Sequence, residues 1–286
     1  MNVISPTWFF LSDDDGNFVS IGSTDYVNKA HSRGLEVWAL LDNFTYDVNT
    51  KEILSYTSKR AKLIEGLVNE ALALGVDGIN VDLEQVSSEA GEDYVEFLRE
   101  LSISCRANNL VLSVDNYVPK NYNAHYDWKE QGKVADYVII MGYDEHYGGS
   151  QEPGSVASIG YVEEGISTMV QSVPPEKVIN AVPFYTRIWE TSGGEVKSQA
   201  VGMSAVQKFL SDRNIEAVWD EDTCQNYAEV QDGDSFYQVW IEDARSLEVK
   251  MNIMKSYNIG GVAAWKLGYE KGHPEVWDVL SGFANG

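Results

Sequence analysis

The sequence predicts an α/β chain folded as a (β/α)8 TIM barrel, with a small α+β insertion before the last strand. Short β-like runs alternate with longer helical runs along the chain, the pattern of a mostly parallel sheet with helices outside it. The helical runs are amphipathic: in SKRAKLIEGLVNEALALG, Leu63, Leu67, Ala71 and Leu74 recur at three- and four-residue steps and form one apolar face. The length of 286 residues, 44% of them hydrophobic, suits one barrel of about 250 residues with a sizeable core and an addition.

Strand candidates begin at Val3 (VISPTWF), Glu36 (EVWALLD), Gly78 (GINVDLE), Leu110 (LVLSVDNYV), Tyr137 (YVIIMGYD), Val178 (VINAVPFY) and Gly261 (GVAAWKLG). That makes seven, and a closed barrel of this type uses eight. The chain opens directly on a strand, so the missing one is expected first, either ahead of Met1 or as an irregular segment. Between the strands at Val178 and Gly261 lie about eighty residues, too many for an ordinary connection. They include a helix candidate, SAVQKFLSDR, and two strand-like runs, EAVWD and FYQVWIED, separated by the turn-rich DGDS and read as an antiparallel pair. The expected division is a barrel of residues 1–189 and 243–286 and an insertion of 190–242. The helix ARSLEVKMNIMKSYNI returns to the barrel pattern.

The net charge of −23, from 44 acidic and 21 basic residues spread through the chain, argues against nucleic acid as a partner, because phosphate binding needs basic surface. It also argues against adhesion to anionic lipid. An anionic glycan would have to be met locally, by the few Arg, Lys and His. Cys105 and Cys224 are too few for a disulfide framework and are expected as free thiols. No stretch is apolar for long enough to form a transmembrane segment, and the N-terminus lacks the basic region and apolar run of a signal peptide.

The sharpest feature is Asp77-Gly78-Ile79-Asn80-Val81-Asp82-Leu83-Glu84. With the period of two of a strand, Ile79, Val81 and Leu83 point one way, under the helices, and Asn80, Asp82 and Glu84 point the other, toward the barrel axis. Barrel interiors are normally filled with apolar side chains, and carboxylates there carry a desolvation cost unless paired or hydrogen-bonded. Two carboxylates sharing one strand face raise each other's pKa, which keeps an acid protonated nearer neutral pH. Glu84, nearest the rim, is the candidate acid and Asp82 its support. An exposed strand end and a metal site with Asp and Glu ligands are the competing explanations. His31, His125, His146 and His273 do not cluster with this strand, and the spacing makes no recognised metal motif. Asp115 and Tyr117 share one face at the end of another strand and are candidate rim residues.

These residues also carry a resemblance. DGINVDLE is similar to the DGxDxDxE signature of glycoside hydrolase family 18, the chitinase-like barrels. In order, MGYD (Met141–Asp144) resembles the sixth-strand motif, AVPFYTR (Ala181–Arg187) the seventh-strand segment and GGVAAWKLG, ending at Gly268, the eighth strand with its tryptophan. VISPTWF then corresponds to strand two, and the insertion to the α+β subdomain many members carry. YDEHYGGSQEPGSVASIGYVEEGI resembles the spore-germination and cortex-lytic branch, whose members cleave peptidoglycan strands as N-acetylglucosaminidases.

The resemblance implies a retaining, substrate-assisted hydrolase with no cofactor and no metal. Its substrate would be a polysaccharide or glycan strand containing N-acetylglucosamine. Glu84 would be the acid and then the base, Asp82 would orient the acetamido nitrogen, and Tyr143 would donate to the acetamido oxygen. Trp265 would form the floor under the cleaved sugar, with Asp144, Tyr185 and Arg187 lining the pocket. Asn80 stands where chitinase-type members have Asp. This rules out a relay of three carboxylates along one strand, while leaving Asn80 able to hydrogen-bond Asp82. The alternatives are a chitooligosaccharide hydrolase and a non-catalytic glycan-binding or spore-coat domain. The branch implies a secreted, cell-envelope or spore-associated parent protein, compatible with flanking envelope- or glycan-binding domains. Among the other tryptophans, Trp8, Trp38 and Trp240 lie in strand-like runs and are expected in cores. Trp189 and Trp219 are the better glycan-groove candidates. Glu145 and His146 either read a substrate group or pack a loop.

Overall fold

The computed structural model describes residues 1–284, which divide into two compact units. The first comprises residues 1–139 and 172–177, the second residues 140–171 and 178 onward.

In the first unit the elements run β1 (Val3–Ile4), β2 (Thr7–Leu11), β3 (Phe18–Ser20), α1 (Thr24–His31), β4 (Glu36–Asp42), α2 (Thr50–Ser55), α3 (Thr57–Leu74), β5 (Gly78–Asp82), α4 (Gly91–Ala107), β6 (Val111–Tyr117) and α5 (Trp128–Val134). β7 (Tyr137–Met141) carries the chain into the second unit. β1 and β2 both pair in parallel with β4, as two segments of the expected strand VISPTWF interrupted at Ser5-Pro6. β4 pairs with β5 and β5 with β6, all parallel. β3 is an antiparallel addition on β2 that the sequence pattern does not announce. The apolar face expected on α3 is buried at Leu63, Leu67, Ala71 and Leu74. α3 ends where Gly75 turns left-handed at φ 74°, its N–H donating to Ala71 O and Leu72 O.

Strand starts are fastened by side chains. The Asp77 carboxylate accepts from the Val37 N–H at 2.8 Å and lies 2.8 Å from the His31 ring. Asp136 likewise accepts from the Leu112 N–H at 2.9 Å. At the start of β5, Gly78 is required by crowding: a Cβ there would sit 2.8 Å from both the Trp38 ring and the Val111 carbonyl oxygen.

The second unit contains α6 (Ile159–Met169), β8 (Val178–Pro183), β9 (Tyr185–Ser192), β10 (Glu195–Gly202), α7 (Met203–Arg213), β11 (Val218–Asp220), β12 (Gln225–Asp232), β13 (Ser235–Ile241), α8 (Ala244–Ser256), β14 (Gly261–Trp265) and α9 (Glu275–Ala284). β8 and β14 pair in parallel, Ala181 opposite Ala263 and Pro183 opposite Trp265. The insertion is an antiparallel sheet in the order β10-β9-β13-β12-β11. It begins at Tyr185, before residue 190. EAVWD and FYQVWIED do not pair with each other, because β12 lies between them. The β9–β10 hairpin turns through Gly193 and Gly194, both at positive φ. α7 covers one face of the sheet, where Val206, Val239 and Ile241 form a small core with Ile188 and Val201.

A buried polar network roots the insertion. Glu242 and Lys250 are both enclosed, with Lys250 Nζ 2.8 and 3.0 Å from the two carboxylate oxygens. The same carboxylate accepts from Ser246 Oγ at 2.9 Å and from Gln225 Nε2, and the Glu242 N–H donates to Thr186 Oγ1 at 2.9 Å. Among the described residues no helix is long and apolar enough to cross a membrane.

Three stability outcomes follow. Gly78→Ala should lower the unfolding free energy by about 1–3 kcal/mol, because backbone as well as side chain must move to admit the methyl. Gly160→Ala, where a Cβ meets nothing within 4 Å, should stay within about 1 kcal/mol of the parent. Lys250→Met leaves the buried Glu242 carboxylate without its cation and should cost about 3–5 kcal/mol. Chemical denaturation midpoints check all three.

Candidate active site

The first unit carries the carboxylates. β5 is buried along its whole length. Ile79, Val81 and Leu83 are fully enclosed, Asp82 retains 8% of its surface, and Glu84, just beyond the strand end, is half-buried. Gln85 turns left-handed at φ 54° and takes the chain out of the strand. Asn43 fixes the Glu84 backbone from both sides: its Oδ1 accepts from the Glu84 N–H at 2.9 Å, and its Nδ2 donates to the Glu84 carbonyl at 2.8 Å. Tyr117, at the end of β6, donates its hydroxyl to Glu84 Oε2 at 2.6 Å. Burial and this carboxylate both push the Tyr117 phenol up. Tyr126 adds a hydroxyl that donates to the Leu83 carbonyl at 3.2 Å and accepts from the Val86 N–H at 3.1 Å.

Asn80 does not hold Asp82. Its Nδ2 donates to Asp115 Oδ2 at 2.7 Å, and its Oδ1 accepts from Ser113 Oγ at 2.6 Å. Asn80 stands opposite Ser113 in the β5–β6 register, so its side chain reaches along the neighbouring strand and not up its own. Loss of the strand carboxylate at position 80 therefore does not leave the site with two acids, because Asp115 supplies a third from β6. Burial, with help from the charge of Glu84 and against the Asn80 hydrogen bond, pushes Asp115 up to about 7. Asp82 is held well above the ordinary carboxylate range by burial first, then by Asp115, Glu84 and Asp42. Asp42, opposite Asp82 across the β4–β5 pair, is itself buried and takes the Thr45 hydroxyl at 2.8 Å. The Oδ1 atom of Asp82 is buried with no partner.

The second unit carries the aromatic group. Trp265, at the end of β14, is 41% exposed. Tyr185 meets it edge-on at 5.3 Å between centroids, Tyr269 edge-on at 5.8 Å, and Tyr143 lies tilted at 6.3 Å. Asp144, at φ 59°, accepts the Tyr185 hydroxyl at 2.5 Å. Arg187 Nη2 lies 3.6 Å from the same carboxylate, and Nη1 donates to Ser198 Oγ at 3.2 Å. Arg187 thus pairs with the acidic neighbour brought by the β7 loop.

That loop is packed. Glu145 accepts from the N–H and the hydroxyl of Ser158 at the start of α6, and the His146 ring sits 2.9 Å from the Ser155 carbonyl. Trp189 is buried, with Nε1 donating to the Gly154 carbonyl at 2.8 Å, and Trp219 lies under the Arg245 guanidinium, 3.6 Å from its carbon. Neither is an open glycan platform. Besides Trp265, the exposed aromatics among the described residues are Tyr26 in α1 and Phe44, Tyr46, Tyr56, Tyr122 and Tyr147 in loops or short turns. Asn43, Asp42 and Tyr126 are neighbours of the candidate site that the sequence pattern missed. Only the terminal Asp of EVWALLD, level with Asp82, gives a signal. Among the described residues no group of His, Cys, Asp and Glu has metal-holding geometry. Both cysteines are free thiols, Cys105 buried and pushed up to about 12 by that burial.

The family profile for glycosyl hydrolases family 18 matches residues 10–270. The chain belongs to that family. Its relatives include the glycosylase YvbX of Bacillus subtilis, 26% identical over 94% of this chain and 81% of that protein. The cortical fragment-lytic enzyme of Bacillus subtilis is 26% identical over 95% of this chain, which spans 65% of that longer protein. The crystal structure of the Bacillus cereus spore cortex-lytic enzyme SleL superposes with a TM-score of 0.88 at 26% identity, over 98% of this chain and 67% of that one. Within family 18 the similarity falls to the spore cortex-lytic branch, the fold is the (β/α)8 barrel with an insertion, and the chain is a glycosidase.

Because Asp115 is raised in the folded protein, its stabilising contribution is complete below pH about 4 and is lost as pH rises through about 7. The stability of the parent relative to Asp115→Asn should therefore fall by about 1–2 kcal/mol between pH 4 and pH 8, allowing for the partly exposed edge of the residue. Denaturation midpoints at pH 4, 5.5 and 8 test this, and a difference independent of pH would contradict it.

Proposed function

We propose that the chain hydrolyses β-1,4 bonds at N-acetylglucosamine in peptidoglycan strands of the spore-cortex type. In this reaction the configuration is retained and the substrate's own acetamido group is the nucleophile. The observation that carries this is the unpartnered, buried Oδ1 of Asp82 beside Glu84. A buried carboxylate oxygen with no donor is an energetic liability that an acetamido N–H would relieve.

In this scheme Glu84 protonates the glycosidic oxygen, and the glycosidic bond breaks as the acetamido carbonyl oxygen closes on the anomeric carbon. Asp82 accepts from the acetamido N–H and offsets the positive charge developing on the oxazolinium ring. Tyr143 donates to the acetamido oxygen and Trp265 supports the sugar face. Water then opens the ring, giving its proton to Glu84. Asn43 and Tyr117 hold Glu84 by backbone and side chain. The raised Asp115 keeps a proton in this group at a pH where an isolated carboxylate has lost it. The cortex-lytic relatives support peptidoglycan over chitin, and a site of action in the cell envelope or spore goes with it.

Glu84→Gln should lower turnover by about 10²–10⁴-fold, the range for a positioned general acid, with the fold intact by circular dichroism. Mass spectrometry of wild-type digests of cortex peptidoglycan should show fragments with N-acetylglucosamine at the new reducing end, and fresh product should be the β-anomer by NMR. De-N-acetylated strands should resist cleavage. Cleavage of chitooligosaccharides alone would replace the substrate, and turnover of de-N-acetylated strands would sink the mechanism.

A further inference from the structure

The chain is strongly acidic, and its basic side chains are mostly engaged: Lys51, Lys59, Lys133, Lys208 and Lys250 each pair with a carboxylate. Among the described residues, two exposed lysines in the segment that follows Trp265, Lys266 and Lys271, enter no ion pair. Lys266 is held over two aromatic faces, its ammonium 5.3 Å from the Trp265 ring centroid and 5.1 Å from that of Tyr269. Trp265 itself is exposed, and an open indole face at a strand end is a surface on which a sugar ring can lie. Beyond Tyr269 lies a cleft of about 530 Å³, bordered by Gly202, Ser204, Gly268, Tyr269, Lys271 and Gly272. Its walls are tied by backbone. The Met203 N–H donates to the Tyr269 carbonyl at 2.8 Å, and Ser204 Oγ donates to the Lys271 carbonyl at 2.7 Å. Side chains would not fit there: a Cβ on Gly202 would meet the Tyr269 carbonyl oxygen at 2.7 Å, and one on Gly272 the Ser204 hydroxyl at 2.9 Å. The nearest acid in sequence, Glu270, is turned back onto the Gly268 N–H at 2.7 Å.

We propose that Lys266 and Lys271, with the cleft between β10 and the segment after β14, form a subsite for a carboxylate carried on the glycan next to the sugar resting on Trp265. A neutral chitin strand gives these cations nothing to bind. A strand whose alternate sugars carry lactyl or peptidyl carboxylates does, and the surrounding negative surface makes a local pair of free cations the means of accepting it. This deepens the peptidoglycan reading above and rests on it for the identity of the polymer.

The test is binding to the Glu84→Gln protein, which needs no turnover. Calorimetry would compare chitohexaose with amidase-stripped strands of alternating N-acetylglucosamine and N-acetylmuramic acid. It would also compare the same strands with their carboxyls converted to amides, and strands retaining peptide stems. The free-carboxylate strands should bind more tightly than their amidated form. Adding Lys266→Gln and Lys271→Gln should lower that ratio roughly threefold to tenfold, the scale of two exposed ion pairs, and raised salt should lower it too. A preference confined to stem-bearing strands places the carboxylate on the peptide, and one shown by stripped strands places it on the lactyl group. An unchanged ratio, an equal fall with Lys208→Gln, or tighter chitohexaose binding once Lys266 is removed would overturn the subsite. Wild-type failure to cleave any strand, with lysine-dependent charge preference intact, would reject the glycosidase assignment and keep the subsite. Cleavage without that dependence would do the reverse.

Discussion

Crowding of negative charge at the ends of three adjacent strands governs the first unit. β4, β5 and β6 bring Asp42, Asp82 and Asp115 to one level, with Glu84 just above. Left alone, such a group would repel itself and pull in water. The fold meets this with neutral donors: Thr45 on Asp42, Asn80 on Asp115, Tyr117 on Glu84. Asn at position 80 is suited to this arrangement. An amide donates to Asp115 without needing a proton of its own, whereas a second carboxylate there would have to be protonated to do so.

Carboxylates at the two ends of these strands have opposite surroundings. At the starts, Asp77 and Asp136 each receive a backbone N–H from the neighbouring strand, and their charge fastens the sheet. At the ends, Asp82 is buried with an oxygen that no group among the described residues satisfies. The difference lies in supply of donors and not in residue type.

Much of this was legible in the sequence because strands have a strict period of two. DGINVDLE announced both its apolar face and its acidic one, and SVDNY placed Asp115 and Tyr117 together. The partner of Asn80 was not legible, since it depends on the register between β5 and β6, which neither strand encodes alone. Asn43 was hidden for a related reason: it acts on a backbone 41 residues away, from a loop with no pattern. In the insertion, β10 has no buried residue and β12 only two, so they lack the apolar alternation that marks a strand. Trp189 looked like a groove residue because it lies outside the strand-like runs, at the edge of the expected insertion, yet its indole N–H finds the Gly154 carbonyl inside.

The Glu242–Lys250 pair has a consequence for inheritance. The acid closes the insertion and the base sits on α8, the helix that follows it. A gene exchange that replaced the insertion alone, joining a foreign sheet to the resident helix, would bury one charge against whatever the newcomer offered. Only a crossover placed beyond α8 moves both partners together. The piece that can be exchanged without stranding a buried charge is therefore the insertion with its following helix.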